Sequence, residues 1–216
     1  MTAKTRSSAP PPKTQDRKAQ DGAAPRAWQR MLSGRRLDLL HPSPLDIEVE
    51  DIAQGLSRVA RWNGQTRGDW AFSVAQHSLL VERLVARLRP AFARRWLLAA
   101  LLHDAAEYVL GDLITPVKGA VGSDYKQLEL RLGEAVHIRF GLPAQLPSQV
   151  QTVIKSADRA AAYFEATQLA GFDETEALSF FGQPGSLATP TLTPLPPDEA
   201  KRLFVARYQA LSEAEA

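Results

Sequence analysis

The stretch LLAALLHDAAEYVLGD, residues 97–112, decides the fold because it places polar groups inside an apolar helical pattern. Its apolar residues lie nearly all round the helix, which is typical of a central buried element. His103 and Asp104 are adjacent, and Glu107 follows His103 by one turn, so all three can open onto one side of the helix. Because aspartate is rarely buried unless it is paired or bound to a metal ion, we predict a buried helix over residues 91–110 that carries metal ligands. A satisfied buried polar pair is the alternative interpretation of His103 and Asp104.

Apolar residues recur at helical spacing along most of the chain from Glu50 onward, which predicts an all-α fold. Ser73 and Gln76 have the spacing of a capping box and begin a helix that ends before Pro90. Gly111 is a plausible residue to follow the end of the 91–110 helix. Further helices are predicted over residues 124–140, 148–169 and 198–211.

The sequence divides into three parts by composition. Residues 1–30 are predicted to be a disordered basic tail, because they are rich in Ala, Pro, Lys and Gln and poor in bulky apolar residues. Residues 31–182 are predicted to form one helical domain. Residues 183–216 are predicted to be a Pro-rich linker, within GQPGSLATPTLTPLPP, and a C-terminal helix.

Charge is distributed unevenly between the tail and the rest. Residues 1–36 hold nine Lys and Arg against two Asp, whereas the remaining residues hold 17 Lys and Arg against 22 Asp and Glu. A basic tail can contact nucleic acid or a membrane surface, but we favour a solubilising role without nucleic-acid contact. A transit peptide is disfavoured by the run of three prolines and by the two aspartates.

Several classes of protein are excluded by what the sequence lacks. There is no cysteine, which removes disulfide frameworks, thiol nucleophiles and Cys-based zinc sites. No run of 18 apolar residues and no signal-peptide core is present, so we expect neither membrane insertion nor secretion. The sequence therefore predicts a cytoplasmic protein.

Two further helices offer ligands of the same kind as His103 and Asp104. His77 lies in the first turn of the capped helix, and Asp158 lies among apolar residues of the 148–169 helix. Together the four residues would supply two imidazole nitrogens and two carboxylate oxygens, which suit a divalent ion such as Mn, Fe, Co or Zn. The plainer alternatives are a local hydrogen bond for His77 and a surface ion pair for Asp158.

The motifs SVAQHS, LLHDAAE and IKSADR, in this order, resemble those of the metal-dependent HD-domain phosphohydrolases. RWNG, HDAAEYVLGDLITPVK and KSADRAAAY extend the resemblance to the bacterial 5′-deoxyribonucleotidase branch, over residues 50–170. The resemblance implies an HD-domain helical bundle, a small nucleotide substrate and a homodimer. It also implies one divalent ion (Mn, Co, Fe, Zn or Mg), since His41 and His137 lie in no matching motif.

The resemblance implies a role for each matching residue. Those that would hold the metal ion are His77, His103, Asp104 and Asp158. The two with catalytic roles would be Glu107, as the acid/base, and Asp112, as a carboxylate of the substrate pocket. Those that would bind substrate are Arg61, at the phosphate, and Trp62, near the deoxyribose. Lys118 is a candidate second phosphate contact, with a solvated loop lysine as the equal alternative.

These observations predict a metal-dependent hydrolase that removes the 5′-phosphate from deoxyribonucleoside monophosphates. A charged guanidinium fork suits phosphate, and a divalent ion stabilises the charge that develops during its hydrolysis. Two alternatives stay open: a triphosphohydrolase that acts on dNTPs, and a non-catalytic nucleotide-binding HD protein.

Overall fold

The computed structural model describes residues 27–185 and 187–213, and these residues are mostly helical. The all-α prediction is confirmed, and the three helices predicted over 124–140, 148–169 and 198–211 are found within one residue of each end. The helices are α1 Val49–Leu56, α2 Val74–Leu88, α3 Arg94–Leu101, α4 Glu107–Leu110, α5 Thr115–Val121, α6 Ser123–Arg139, α7 Ser148–Gln168, α8 Glu174–Phe181 and α9 Pro197–Ser212.

A short hairpin precedes the helices and was not predicted. Strand β1, Trp28–Arg30, pairs antiparallel with β2, Arg36–Asp38. Strands of three residues are too short to show the alternating pattern that identifies a strand in sequence. Strand β1 lies in the last three residues of the predicted tail, and β2 lies within the predicted helical domain. Residues 1–26, the remainder of that tail, lie outside the described residues.

Helix α2 lies at the centre of the fold and packs against α3 and α7, while α9 closes over α1, α2 and α3. Ser73 begins α2 as predicted, since its hydroxyl accepts a hydrogen bond from the Gln76 backbone N–H at 3.3 Å. The Gln76 side chain does not complete the capping box. Instead it donates to Thr193 O at 2.9 Å and accepts from Leu195 N at 3.1 Å. The predicted linker is therefore fastened along α2.

The predicted single helix over residues 91–110 is wrong, because it is interrupted at the His-Asp pair. Helix α3 ends at Leu101, residues 102–106 form turns, and α4 begins at Glu107. Backbone hydrogen bonds in this turn connect residues three apart, as between Glu107 N and Asp104 O at 3.0 Å. Adjacent residues of a regular helix point about 100° apart. The tighter turn departs from this regular 100° angle and lets the side chains of His103 and Asp104 approach the same point.

Helix α8 was also missed by the sequence analysis. Asp173 caps it by accepting from Glu176 N at 2.8 Å, and the Glu176 carboxylate accepts from Asp173 N at 3.3 Å, which is a complete capping box. Helix α8 packs against α7. The sequence signal, Asp followed three residues later by Glu, is present in GFDETEAL.

Within the described ranges, no helix has both the length and the apolar character needed to span a bilayer.

Candidate metal centre

His77 lies at the floor of the candidate site, in the first turn of α2, with no exposed surface. Its Nδ1 lies 2.6 Å from Glu165 Oε1. Its Nε2 lies 3.2 Å from Asp158 Oδ1 and 3.5 Å from Asp104 Oδ2. The two nitrogens thus face different partners, one carboxylate behind the ring and two carboxylates in front of it.

His103 reaches the same place from the turn between α3 and α4. Its Nδ1 donates to Ala100 O at 2.9 Å, and its Nε2 lies 3.2 Å from Asp104 Oδ2. The His77 and His103 ring centroids are 5.2 Å apart. Ligand atoms of His77, His103 and Asp158 all lie within 4.8 Å of one another. The structure therefore brings the four predicted metal-binding residues together, from α2, the turn and α7.

The donor set fits a divalent ion. Both Nε2 atoms are buried, and neither makes a hydrogen bond to any residue that the structure describes. In each imidazole the Nδ1 atom is already engaged, so the lone pair of Nε2 is the group that remains for a cation. Ligand atoms that share one ion at about 2.1 Å lie about 3 to 4 Å apart. His77 Nε2 lies 3.2 Å from Asp158 and 3.5 Å from Asp104, and His103 Nε2 lies 3.2 Å from Asp104. Two imidazoles and two carboxylates suit Mn, Fe, Co or Zn.

The electrostatics of the cluster show the charge that a cation would balance. Burial and Arg61 act to lower the pKa of His77, but Glu165, Asp104 and Asp158 raise it well above its usual range. Burial opposes ionisation of Asp104, yet the neighbouring histidines hold the pKa of that carboxyl well below its usual range. In the same way, burial acts to raise the pKa of Asp158, and His77 lowers it overall. The centre is thus a concentration of negative charge that attracts either a proton or a metal ion.

Arg61 stands beside this cluster in a short 3₁₀ helix, Arg61–Gly64. Its Nη1 donates to Asp112 Oδ2 at 3.0 Å, and its Nε donates to Glu165 Oε2 at 3.2 Å. Burial acts to lower the pKa of the Arg61 guanidinium, but Glu165 and Asp112 raise it above its usual range. Arg61 is therefore a fixed cation, held between two carboxylates at the side of the metal cluster.

Trp62 follows in an unusual backbone conformation. Trp62 and Asn63 have φ of 57° and 51°, in the left-handed region that non-glycine residues rarely adopt. The Trp62 indole Nε1 donates to Glu165 Oε2 at 2.9 Å. Its ring packs against Phe172 and Phe181, with centroids 5.6 and 5.7 Å away. Helix α8 and the segment before it therefore provide an aromatic support for this part of the site.

The remaining predicted site residues lie on the segment that follows the His-Asp turn. Glu107 begins α4, is 3% exposed, and is joined through its backbone to Asp104. Asp112 lies just after α4, and its side chain is 7% exposed. Lys118 belongs to α5, and its side chain lies outside the described residues, so its role stays a prediction.

Glu165 is the site residue that the sequence analysis missed. It is fully buried on α7 and contacts His77, Arg61 and Trp62. The signal was available, because Glu165 follows Asp158 by seven residues and so lies two turns along the same face of the helix. A carboxylate between Phe164 and Ala166 in an apolar helical pattern needs a partner in the core.

The site opens to solvent at the carboxylates in front of the histidines. The exposed fraction of the side chain rises from none at His77 and 10% at His103 to 25% at Asp104 and 40% at Asp158. A ligand can therefore reach the cluster past Asp104 and Asp158.

Comparisons with known proteins give two relatives and a match to one domain family. An uncharacterized protein of Rhodobacter capsulatus is 60% identical over 188 residues, which are 86% of this chain and 96% of that protein. The uncharacterized protein YfdR of Escherichia coli is 30% identical over 168 residues, or 78% of this chain and 86% of YfdR. The model of the HD domain matches residues 74–163. This chain belongs to the HD-domain family.

The HD-domain match covers all four residues of the metal cluster and the two catalytic candidates, Glu107 and Asp112. HD domains typically bind a divalent metal and act as phosphohydrolases, and the His/Asp cluster is a candidate site of that type. The match begins after Arg61 and Trp62 and ends before Glu165. Glu165, the carboxylate partner of His77 Nδ1, therefore lies beyond the residues that match the HD-domain model.

Proposed function

We propose that this chain is a metal-dependent phosphoric monoester hydrolase that removes the 5′-phosphate from deoxyribonucleoside monophosphates. The observation that carries the proposal is the convergence of two imidazole Nε2 atoms and two carboxylates at distances of 3.2–3.5 Å, beside a buried arginine. When bound there, a divalent cation supplies Lewis-acid stabilisation of the charge on a phosphoryl group. His77, His103, Asp104 and Asp158 would hold it.

Arg61 is well placed to bind the phosphate. Its Nε and Nη1 donate to Glu165 and Asp112, whereas its Nη2 donates to no residue that the structure describes. A guanidinium with two positions anchored has lost its rotational freedom before substrate binds, so its third nitrogen can meet an anion at little further entropic cost. Arg61 would therefore orient the phosphate against the metal cluster.

Glu107 is the proposed acid/base. It is the buried carboxylate that begins α4, directly after the turn that carries His103 and Asp104. A carboxylate held in a buried position near substrate can hold or transfer a proton during hydrolysis, which typically contributes about 10²- to 10⁴-fold to the rate. Its role is proposed from its place on the chain and from the resemblance to the deoxyribonucleotidase branch.

Asp112 and Trp62 are proposed to form the side of the pocket that meets the sugar. Arg61 donates to Asp112, and Arg61 and Trp62 both donate to Glu165, so hydrogen bonds connect the three side chains. The flat indole offers apolar surface to a deoxyribose, and the Asp112 carboxylate offers acceptors to a hydroxyl.

The decisive experiment measures orthophosphate released from a panel of dNMPs by the purified, metal-loaded protein. The same protein is given dNTPs, and the products are separated into orthophosphate and tripolyphosphate. Release of orthophosphate from dNMPs is the expected result. Tripolyphosphate from dNTPs without dNMP hydrolysis would replace this proposal by the triphosphohydrolase reading, and no product from any nucleotide would refute hydrolysis.

A substitution at Glu107 separates an enzyme from a binding protein. Glu107→Gln is expected to lower kcat by at least about 100-fold while metal content stays unchanged. Glu82→Gln is the matched control, because Glu82 is also a buried glutamate but pairs with Arg207 on α9. Full turnover in Glu107→Gln would contradict the acid/base role.

A further inference from the structure

Glu165 lies where the metal cluster and the Arg61 segment meet. Its Oε1 lies 2.6 Å from His77 Nδ1, and its Oε2 accepts from Arg61 Nε at 3.2 Å and from Trp62 Nε1 at 2.9 Å. The side chain has no exposed surface. One buried carboxylate therefore joins a predicted metal ligand to two of the residues that are predicted to bind substrate, Arg61 and Trp62.

An ionised carboxylate satisfies all three contacts when the proton of His77 lies on Nδ1. Arg61 Nε and Trp62 Nε1 are obligatory donors, and an ionised glutamate offers acceptors and no donor. A glutamine whose oxygen accepts from Arg61 and Trp62 would direct its NH₂ group at His77 Nδ1, which favours the His77 tautomer with the proton on Nε2.

The contact with Glu165 decides which nitrogen of His77 carries the proton and which one offers a lone pair to the cluster. A proton shared with Glu165 sits on Nδ1 and leaves the lone pair on Nε2. That Nε2 is the atom near Asp104 and Asp158. Carboxylates that accept from the far nitrogen of a ligating histidine fix its ring orientation, and removing them typically costs about 10- to 100-fold in metal affinity.

The contacts with Arg61 and Trp62 hold a strained segment in place. Two consecutive left-handed residues, Trp62 and Asn63, cost about 1 to 3 kcal/mol each and persist only where the surroundings fix them. The hydrogen bond from the indole to Glu165 is one such restraint, and packing against Phe172 is another. Without Glu165, Arg61 and Trp62 would lose the acceptor that they share.

We propose that Glu165 is a positioning residue that sets the metal-binding tautomer of His77 and, through the same carboxylate, fixes Arg61 and Trp62 for substrate. The part that concerns Arg61 and Trp62 rests on the proposed function. The part that concerns His77 requires only that the cluster binds a metal ion. The two parts can therefore be tested separately.

The first test measures Zn²⁺ affinity by competition with a chelating dye, without any substrate. Glu165→Gln is expected to weaken binding about 10- to 100-fold. Glu82→Gln is the control, because it also removes the charge of a fully buried glutamate that pairs with an arginine, away from the cluster. The control is expected to lose stability and to keep wild-type Zn²⁺ affinity. Wild-type affinity in Glu165→Gln, or an equal loss in both variants, overturns the proposal.

The second test needs no variant and so does not depend on whether Glu165→Gln folds. The chain has four histidines, so long-range ¹H–¹⁵N spectra of the Zn²⁺-loaded protein resolve each imidazole. We expect the His77 proton on Nδ1 in a strong hydrogen bond and Nε2 bound to the metal. A proton on His77 Nε2 would overturn the proposal.

The third test uses turnover at saturating Zn²⁺, where weaker metal binding no longer matters. Glu165→Gln is expected to raise KM for dNMPs by about tenfold more than Glu82→Gln does, because the amide keeps one acceptor oxygen but loses the charge that fixes Arg61. An unchanged KM overturns the substrate part alone. If wild-type protein hydrolyses no nucleotide, the proposed function fails, and the Zn²⁺ affinity and the His77 tautomer still decide the metal part.

Discussion

Arg61 and Asp112 form a buried ion pair in which Nη1 lies 3.0 Å from Oδ2, and this pair connects the segment after α4 to the 3₁₀ helix Arg61–Gly64. The side chains are 14% and 7% exposed. A hydrogen bond between charged groups contributes about 1.5 to 3 kcal/mol when it is largely shielded from water. The Asp112 carboxylate thus restrains the guanidinium that is proposed to meet the phosphate.

We expect Asp112→Asn to lower kcat/KM for dNMPs by about 10- to 100-fold, mainly through KM, because the amide keeps an acceptor but loses the charge that holds Arg61. Metal content is expected to stay at the wild-type value. Asp198→Asn is the control, since Asp198 also pairs with an arginine, Arg58, at 2.8 Å, but on the exposed surface. Equal kinetics in the two variants would contradict the role of Asp112.

The metal cluster is tested by counting ions. We expect about one divalent ion per chain after dialysis, and much less in Asp158→Asn or His103→Gln. The first change removes a negative charge from the cluster, and the second removes an imidazole nitrogen. Elemental analysis measures the content, and circular dichroism confirms that each variant is folded. His137→Gln is the control, since His137 donates from Nδ1 to Ala144 O and lies outside the cluster. Full occupancy in the ligand variants would locate the ion elsewhere.

The sequence predicted the site better than it predicted the local backbone. His77, His103 and Asp158 were recognisable because polar groups in apolar helical patterns need a partner, and the resemblance to HD phosphohydrolases gave their order. The break in the helix at His103 was not visible, because the apolar pattern continues across residues 102–106 and only tertiary packing selects a turn there. The homodimer, the location in the cell and the role of Lys118 stay predictions.

Glu165 shows a different limit. Its spacing from Asp158 placed it on the same helical face, but its three partners lie 88 to 104 residues away along the chain. Helical periodicity relates residues within one element and does not show which distant segments pack against it. The role of Glu165 therefore emerged only when α2, α7 and the Arg61 segment were seen together.

Metal binding is expected to change how stability depends on pH. In the metal-free protein, burial and Arg61 act to lower the pKa of His77, but Glu165, Asp104 and Asp158 raise it well above 6.5. A pKa that is raised by folding contributes stability that is fully present below the unfolded value and is lost as pH rises through the folded value. A bound cation takes the place of that proton, so the metal-loaded protein does not undergo the same loss.

We therefore expect the difference in Tm between metal-loaded and metal-free protein to widen as pH rises from about 6 to about 9. Asp104 and Asp158 stay ionised across this range, since their pKa values are lowered. Thermal melts at constant ionic strength, with excess Zn²⁺ or excess chelator, give the two Tm values. The same widening is expected in His137→Gln. A difference that is constant or narrows with pH would contradict the exchange of a proton for a metal ion.

Gly55 controls how closely α1 approaches α4, the helix that begins with Glu107. A Cβ built on Gly55 would lie 2.5 Å from Tyr108 O and 2.7 Å from Tyr108 Cβ, so no side chain fits without a backbone shift. We expect Gly55→Ala to lower the free energy of unfolding by about 1 to 3 kcal/mol, as overpacking does, and to lower kcat because α4 carries Glu107. Gly133→Ala is the matched control, because nothing lies within 4 Å of its Cβ position. Gly133→Ala in helix α6 is expected to raise the free energy of unfolding by about 0.5 to 1 kcal/mol, because alanine favours helix more than glycine does. Equal denaturation midpoints for Gly55→Ala and Gly133→Ala would refute the close packing of α1 on α4.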